Sequence, residues 1–378
     1  MTSAPATPSV NRARLDIAGL ELAELEARLT DLGAPRYHAR QIFAWVHRRG
    51  VTDFTAMSDL PKALRAQLAE AWTVTTPRLT RKDVSTDGTT KYLFELADGT
   101  RIESVYIPDT PAQTFCISSQ VGCAMACAFC LTGKMGLTRH LTAGEIEGQV
   151  RVLAHDLGLA APDRAFNIVV MGMGEPLHNY DATLKALRIV GDPAGFGVPA
   201  RRITLSTVGL VPGIEKLGRE PFMPNLAISL HASHEAQRDA LVPINRKYDL
   251  EALIEACKRF PVKRRSRITF EYVLLNGVND TPEDARRLVK LLDGIKGKIN
   301  LLPLNAAPGI PFERPDDGRV DAFAKILADK GLTVSVRKSR GRDIRAACGQ
   351  LIVEGERRSA AQQLAVAIGN YRVGELVN

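Results

Sequence analysis

The 378-residue sequence predicts an α/β protein: a partial (βα)6 TIM-like barrel with a small N-terminal helical domain and a β-hairpin linker. Three observations predict this. From about Thr114 onward, short apolar runs of strand character alternate with amphipathic helical stretches, the pattern of βα units around a parallel sheet. Six or seven such units are present, too few for a closed eight-stranded barrel. The first part of the chain has helical periodicity and no alternation of this kind.

Residues 1–18 begin rich in Ala, Thr, Ser and Pro, lack the apolar stretch of a secretory signal, and read as a disordered tail. Residues 19–75 read as a helical accessory domain. Leu20, Leu22, Leu25 and Leu29 supply an apolar stripe, which Gly33, Ala34 and Pro35 end. Ile42, Phe43, Trp45 and Val46 carry a second helix toward Gly50. Leu60-Pro61-Lys62 opens a third, with proline in its first turn. Arg36, His38, Arg40, His47, Arg48, Arg49, Lys62 and Arg65 make this domain basic. The charges suit a solvated face and an RNA-docking surface equally well. Residues 76–110 read as the hairpin extension, with Tyr92 to Glu95 and Arg101 to Ile107 flanking the turn pair Asp98-Gly99. Glu103, on the second strand, reads locally as an exposed carboxylate.

Residues 111–348 read as the barrel. Strands are expected at Phe115 to Ile117, Ile168 to Met171, Ile203 to Leu205, Leu226 to Leu230, Ile268 to Leu274, Ile299 to Leu302 and Leu332 to Val336. Thr142 and Glu145 form a capping box ahead of Ile146, Val150 and Leu153, and Asp181 to Val190 and Leu250 to Phe260 are further amphipathic helices. Barrels of this kind carry their active sites at the C-terminal ends of strands. Polar groups do cluster there: Gly172-Met173-Gly174-Glu175-Pro176, Ser206-Thr207-Val208-Gly209, Ser229-Leu230-His231 and Asn305. The glycine spacing lacks the remainder of a dinucleotide fingerprint. His231 and His234 are two imidazoles without a third ligand, a poor metal site. Residues 349–378 read as a C-terminal helical segment.

Six cysteines carry the chemistry. Cys123, Cys127 and Cys130 stand at spacings of four and three in one short loop, which can aim three thiolates at one centre, zinc or iron–sulfur. Cys116 lies in the strand before them. Cys348 lies in Arg340-Gly341-Arg342-Asp343-Ile344-Arg345-Ala346-Ala347-Cys348-Gly349-Gln350, whose glycines and basic residues suit an exposed, reactive thiol. Cys257 falls on an apolar helix face and reads as filler. A tight triplet argues against a secreted disulfide scaffold and for a reducing cytoplasm. No apolar run approaches the ~20 residues of a membrane span. A net charge of +8 suits a polyanionic partner; the basic segment Lys263 to Arg267 suits a solvated loop and phosphate contact equally well, while Arg337 to Arg342, which borders Cys348, suits phosphate contact better.

C-x3-C-x2-C with Phe129 before its last cysteine resembles the radical S-adenosylmethionine (SAM) signature, and Gly172 to Pro176 resembles that superfamily's SAM-binding glycine–glutamate motif. Phe115 to Cys123, Arg202 to Thr207, Ile228 to Ala232 and Arg340 to Gln350 extend the likeness to the RlmN/Cfr family of radical SAM adenosine methyltransferases, over nearly the whole chain from about Leu20. The resemblance implies a [4Fe–4S] cluster on Cys123, Cys127 and Cys130, with one iron open to SAM. It implies a SAM site lined by Gly174, Glu175, Ser206, Ser229, Leu230, His231 and Asn305. It makes Cys348 the methyl-carrying residue, Cys116 the thiol that resolves the protein–RNA adduct through a transient disulfide, and Glu103 the proton acceptor. It further implies methylation of adenosine C2 in 23S rRNA and tRNA, two SAM per turnover, a flavodoxin-type electron donor, no membrane association and a monomer. Methylation at C8, or a non-catalytic iron–sulfur or zinc RNA-binding protein, are the alternatives.

Overall fold

The computed structural model describes residues 14–108, 113–160 and 165–353; the start of the expected N-terminal tail and the expected C-terminal helix from residue 354 lie outside them. The helical domain opens on β1 (Leu15–Asp16), continues through α1 (Leu22–Asp31), α2 (His38–Phe43) and α3 (Lys62–Ala71), and ends on β2 (Trp72–Thr73), which pairs in parallel with β1. Residues 15–18 therefore belong to the folded domain rather than to a tail, and Ile17 and Ala18 are buried. Pro61 caps α3 instead of occupying its first turn. Leu25, Leu29, Ile42, Phe43, Leu64, Leu68 and Trp72 form the core of this domain, and Ile189 of the barrel closes it. The two domains thus share apolar surface.

Next comes an antiparallel meander, β3 (Arg78–Val84), β4 (Thr90–Glu95) and β5 (Arg101–Ile107). The Asp98-Gly99 turn is a three-residue loop closed by Leu96 N–H on Thr100 O (2.8 Å), with Gly99 at φ +80°. This meander is no separate linker. It continues into β6 (Thr114–Cys116) and so into the main sheet. β3 escapes the sequence because Arg-Leu-Thr-Arg-Lys-Asp-Val is an exposed edge strand whose charges blunt it against further pairing.

The barrel then runs β7 (Gln120–Gly122), α4 (Leu131–Met135), β8 (Leu137–His140), α5 (Ala143–Asp156), β9 (Asn167–Val170), α6 (Tyr180–Gly191), β10 (Ile203–Thr207), α7 (Val211–Leu217), β11 (Asn225–Ser229), α8 (Glu235–Leu241), α9 (Leu250–Arg259), β12 (Ile268–Leu274), α10 (Pro282–Leu291), β13 (Gly297–Pro303), α11 (Asp317–Asp329) and β14 (Val334–Val336). The ten-stranded sheet has the order β14-β13-β12-β11-β10-β9-β6-β5-β4-β3, parallel from β14 to β6, and its two ends do not pair. This is an open, partial TIM-like barrel: six βα units plus a seventh parallel strand, extended by the meander. Helices cover the outside, so the middle strands are apolar on both faces. The Thr142–Glu145 capping box forms as expected. Among the described residues, no helix is long and apolar enough to cross a membrane.

A buried ion network joins the two domains. Glu147 on α5 accepts from His47 Nδ1 (2.9 Å) and from Arg151 Nε (3.3 Å), and Arg151 reaches Thr75 O (3.0 Å) and Thr76 Oγ1 (2.9 Å). Burial pushes the Glu147 pKa up, but His47 and Arg151 outweigh it and the net shift is downward. A carboxylate lowered in the folded state stabilises above the ordinary carboxylate range, and that stability is lost as pH falls through the folded pKa. Glu147→Ala is expected to cost about 3–5 kcal/mol at neutral pH, since it strands two buried partners. Urea titrations should show the gap from the parent protein narrowing below the carboxylate range.

Candidate active site

β7 delivers the chain into the cysteine loop and α4 follows it directly. Gly122 has φ +77°, and a Cβ there would lie 1.9 Å from Gly136 O, so only glycine fits. Cys123 N–H donates to that same carbonyl at 2.9 Å. Cys130 N–H donates to Cys127 O (3.1 Å), and Ala126 adopts φ +52°, so the loop coils back on itself. Burial drives all three thiol pKa values up. Such thiols stay protonated unless a metal centre takes up their charge. Among the described residues, no three His, Cys, Asp or Glu side chains converge as a single ion would require. A four-iron cube, by contrast, meets each thiolate at a separate corner.

The three cysteines line a cavity of about 160 Å³, together with Gly174, Glu175, Ser206, Ser229, His231, Asn305 and Cys348. Gly174 has φ +104°, and a Cβ there would come within 2.6 Å of the Gln120 side chain. Gln120 Oε1 accepts from Glu175 N–H (2.8 Å), so the strand before the cysteine loop also fixes the glycine–glutamate turn. The Glu175 carboxylate accepts from Leu177 N–H (3.0 Å) and Val208 N–H (2.9 Å). Burial still raises its pKa to about 7. A cationic ligand in the cavity would restore its charge.

Ser206 and Ser229 place their hydroxyls 3.4 Å apart across β10 and β11. His231 adopts φ +58°, and its Nδ1 accepts from Val273 N–H (3.1 Å), so Nε2 carries the proton. Burial, with Arg238 adding, lowers its pKa to about 3 and keeps the ring neutral. Phe129 meets that ring edge-on, centroids 4.7 Å apart. Asn305 Oδ1 is buried without a hydrogen-bond partner, an orphan that a bound ligand would satisfy. The residues present therefore fit a cluster with SAM beside it. Leu230 is buried outside the cavity wall, and His234, also outside it, caps α8 by accepting from Gln237 N–H.

Cys348 is exposed and lines a second, smaller cavity of about 20 Å³ as well, with Cys116 and Arg337. Burial pushes the Cys116 thiol up to about 12, and Cys348 adds to the shift. The segment bearing Cys348 is fastened to the β3–β4 turn: Asp343 accepts from Ser85 Oγ (2.5 Å) and Thr86 N–H (3.2 Å), and Asp87 accepts from Gly341 N–H (3.0 Å). These bonds link the two ends of the open sheet.

Glu103 is not the exposed carboxylate that its strand suggested. It is 1% exposed, 3.0 Å from Lys91 Nζ, and accepts from Ile352 N–H at 3.0 Å. It lies outside both cavity walls, behind residues 349–353, which are irregular rather than helical. Burial raises its pKa despite Lys91. Several basic residues are likewise employed inside the fold: His47 in the ion network, Arg48 on Gly195 O (2.9 Å), Arg65 on Thr55 O (2.6 Å), and Arg337 beside the two thiols. Arg36, Arg40, Arg49 and Lys62 remain exposed. Sequence reasoning gave no role to Arg238, which is fully buried and donates to Leu230 O (3.2 Å), Ser229 O (3.4 Å) and Asn245 Oδ1 (2.8 Å), tying strand ends together. It also passed over Glu271, although a lone acid in the apolar strand Ile-Thr-Phe-Glu-Tyr-Val-Leu is a visible signal.

The Radical SAM superfamily profile matches residues 117–292, and that of the ribosomal RNA large subunit methyltransferase N-terminal domain matches residues 15–74. The chain is 52% identical over 337 residues to the dual-specificity RNA methyltransferase RlmN of Geobacter sulfurreducens, covering 89% of this chain and 92% of that protein. With the protein of the same name from Caulobacter vibrioides it shares 47% over 378 residues, covering 97% and 93%. The chain belongs to the RlmN family. The crystal structure of a radical SAM methyltransferase from Sphaerobacter thermophilus superposes with a TM-score of 0.84 at 49% identity, covering 89% of this chain and 99% of that one. Membership in the RlmN family makes the chain an enzyme of the radical SAM methyltransferase class and sets aside a non-catalytic metal protein.

Gly122→Ala is expected to displace the Gly136 carbonyl and with it the Cys123 N–H bond. Iron and sulfide content after anaerobic reconstitution should fall severalfold, while the helical domain, which has a core of its own, keeps its proteolytic resistance.

Proposed function

We propose that this RlmN-family enzyme methylates C2 of adenosine, at adenine 2503 of 23S rRNA and adenine 37 of some tRNAs, through a methyl group carried on Cys348. The observation that carries this reading is the position of Cys348 in the walls of both cavities. One side holds the three cysteines and the SAM-type polar groups. The other holds Cys116. A sulfur at that junction can receive a group on one side and be attacked from the other.

Adenine C2 is electron-poor and no nucleophile, so direct attack on a methyl sulfonium fails there and a radical route is needed. Cys123, Cys127 and Cys130 would hold the cluster, and Gly174, Glu175, Ser206, Ser229, His231 and Asn305 would hold SAM. Bound together, these groups supply reductive cleavage of the sulfonium and hydrogen-atom abstraction. Neutral His231 offers an Nε2 donor, and Glu175 offers a carboxylate that gains charge against a cation. Cys348 takes its methyl from one SAM, and a second is used in the radical step. Once the methylene carbon is joined to C2, the adduct gives up one electron, the counterpart of the one spent in the radical step, and Glu103 accepts the C2 proton. Its bond to Ile352 N–H must open for the carboxylate to reach the base. Cys116 attacks the Cys348 sulfur and releases methylated RNA, leaving a disulfide that is reduced before the next turnover.

An adenosine in a loop or a bulge is the least costly to splay into the open mouth. Exposed Arg36, Arg40, Arg49 and Lys62 on the helical domain, with Lys338 and Arg342 beside Cys348, supply phosphate contacts. The reading includes a flavodoxin-type electron donor, a monomer, and a cytoplasmic setting in which thiols stay reduced.

Cys116→Ala should leave RNA covalently trapped on the enzyme under turnover, seen as a slow band on denaturing gels and a nucleotide adduct on Cys348 by mass spectrometry. No adduct, with Cys348 unalkylated, would overturn the methyl-cysteine route. Nucleoside standards methylated at C2 and at C8 decide the carbon: C8 product alone would overturn the C2 assignment.

A further inference from the structure

The basic run after β14 does not face solvent as a block. Glu271 of β12 lines the larger cavity. Asn300 stands opposite Glu271 across β12 and β13, and Ser335 stands opposite Asn300 across β13 and β14. Asn300 Nδ2 donates to Glu271 Oε1 at 3.0 Å, and Ser335 Oγ hydrogen-bonds Asn300 Oδ1. A polar row thus crosses three strands on the face turned toward the cavity. Side chains two residues apart along a strand share a face. Arg337 follows Ser335 by two, and its N–H is pinned to Leu301 O at 2.8 Å. Its side chain reaches the small cavity that Cys116 and Cys348 share. Lys338 and Arg342, by contrast, are exposed.

A buried thiol is unreactive, and the attacking form in disulfide exchange is the thiolate. Cys116 is buried in an otherwise apolar pocket of Val105, Ile107 and Met171. Among the described groups that face it, Cys348 works against its ionisation and Arg337 works for it. Glu103, paired with Lys91, lies two residues along β5 from Val105, the strand partner of Cys116. Arg337 in turn is held protonated first by Cys348, then by Glu271 and Cys116. Glu271 keeps Oε2 buried without a hydrogen-bond partner.

We propose that Arg337 serves the disulfide-forming step: its guanidinium, in the cavity wall that Cys116 and Cys348 share, holds the resolving sulfur of Cys116 as a thiolate beside Cys348. The proposal rests on the methyl-cysteine reading above. In that step the Cys116–Cys348 S–S bond forms and the bond from Cys348 sulfur to the transferred carbon breaks. The electron pair leaves with that carbon, which takes up a proton and becomes the methyl group. Two sulfurs are oxidised to the disulfide level, and the carbon is reduced by the same two electrons. A phosphate-binding role for Arg337 would need the exposure that Lys338 and Arg342 have and Arg337 lacks.

The test uses full-length, cluster-loaded protein and the aromatic disulfide dithiobis(nitrobenzoate), with no RNA. Exposed Cys348 attacks the reagent and releases one thionitrobenzoate. Cys116 then attacks the resulting mixed disulfide and releases a second, leaving the Cys116–Cys348 bond. Cys116→Ala should abolish the second release. Arg337→Met should slow it at neutral pH by roughly tenfold, the size of one pKa unit, and move its pH midpoint upward. Arg337→Lys should keep most of the rate. Urea midpoints and cluster absorbance identify a variant that is merely misfolded, and Arg337→Lys then carries the test. An unchanged second phase and midpoint in Arg337→Met overturns the proposal. If the exchange behaves as expected but Cys116→Ala never traps an RNA adduct under turnover, the methyl-cysteine reading fails instead.

Discussion

Residues 337–353 hang across the barrel mouth from hydrogen bonds to four separate places: β13, the β3–β4 turn, α4 and β5. Arg337 N–H is bound by Leu301 O, Gly341 N–H by Asp87, and the Asp343 carboxylate by Ser85 and Thr86. Gly349 O accepts from Leu131 N–H (2.8 Å), Leu351 O from Thr132 Oγ1 (2.7 Å), and Ile352 N–H is held by Glu103. Two of these anchors belong to α4, directly after the cysteine loop. Another four belong to the meander, Ser85, Thr86 and Asp87 on its β3–β4 turn and Glu103 on β5. Moving either end of the sheet therefore moves Cys348. That coupling keeps Cys348 in the walls of two cavities at once, the geometry the proposed methyl transfer requires.

Ionisable groups gather behind this strap in numbers that stability alone does not explain. Burial shifts Glu103, Glu175 and Glu271 upward and His231 and Arg238 downward, each toward its neutral form. Backbone N–H groups, Lys91, Asn300 and neighbouring carbonyls hold them in place. Perturbed groups concentrated in one cleft mark a site of chemistry. Here they flank a row of sulfurs running from the cysteine loop through Cys348 to Cys116.

Much of this was legible in the chain. The alternation of apolar strands and amphipathic helices gave the barrel, and Thr142 with Glu145 marked the start of α5, because both signals are local. The spacing of Cys123, Cys127 and Cys130 is local too. What stayed hidden depends on tertiary partners. β3 is an edge strand without an apolar run, so periodicity passes over it. Glu103 sits on a strand whose two faces are both covered, one of them by residues some 250 positions later in the chain. His47, Arg48 and Arg337 look like surface cations, and each is drawn inside by a carboxylate, a carbonyl or a thiol that only folding brings near. Leu230 shares a motif with Ser229 and His231, but strand alternation turns its side chain away from the cavity they line.

The claim on which the account turns is that the transferred carbon passes through Cys348 and loses a hydrogen there. Turnover with SAM bearing a fully deuterated methyl group, followed by mass spectrometry of the methylated adenosine, tests it most directly. The account predicts a product methyl that has exchanged one deuterium for solvent hydrogen. A product retaining all of its deuterium would mean direct transfer and would contradict it.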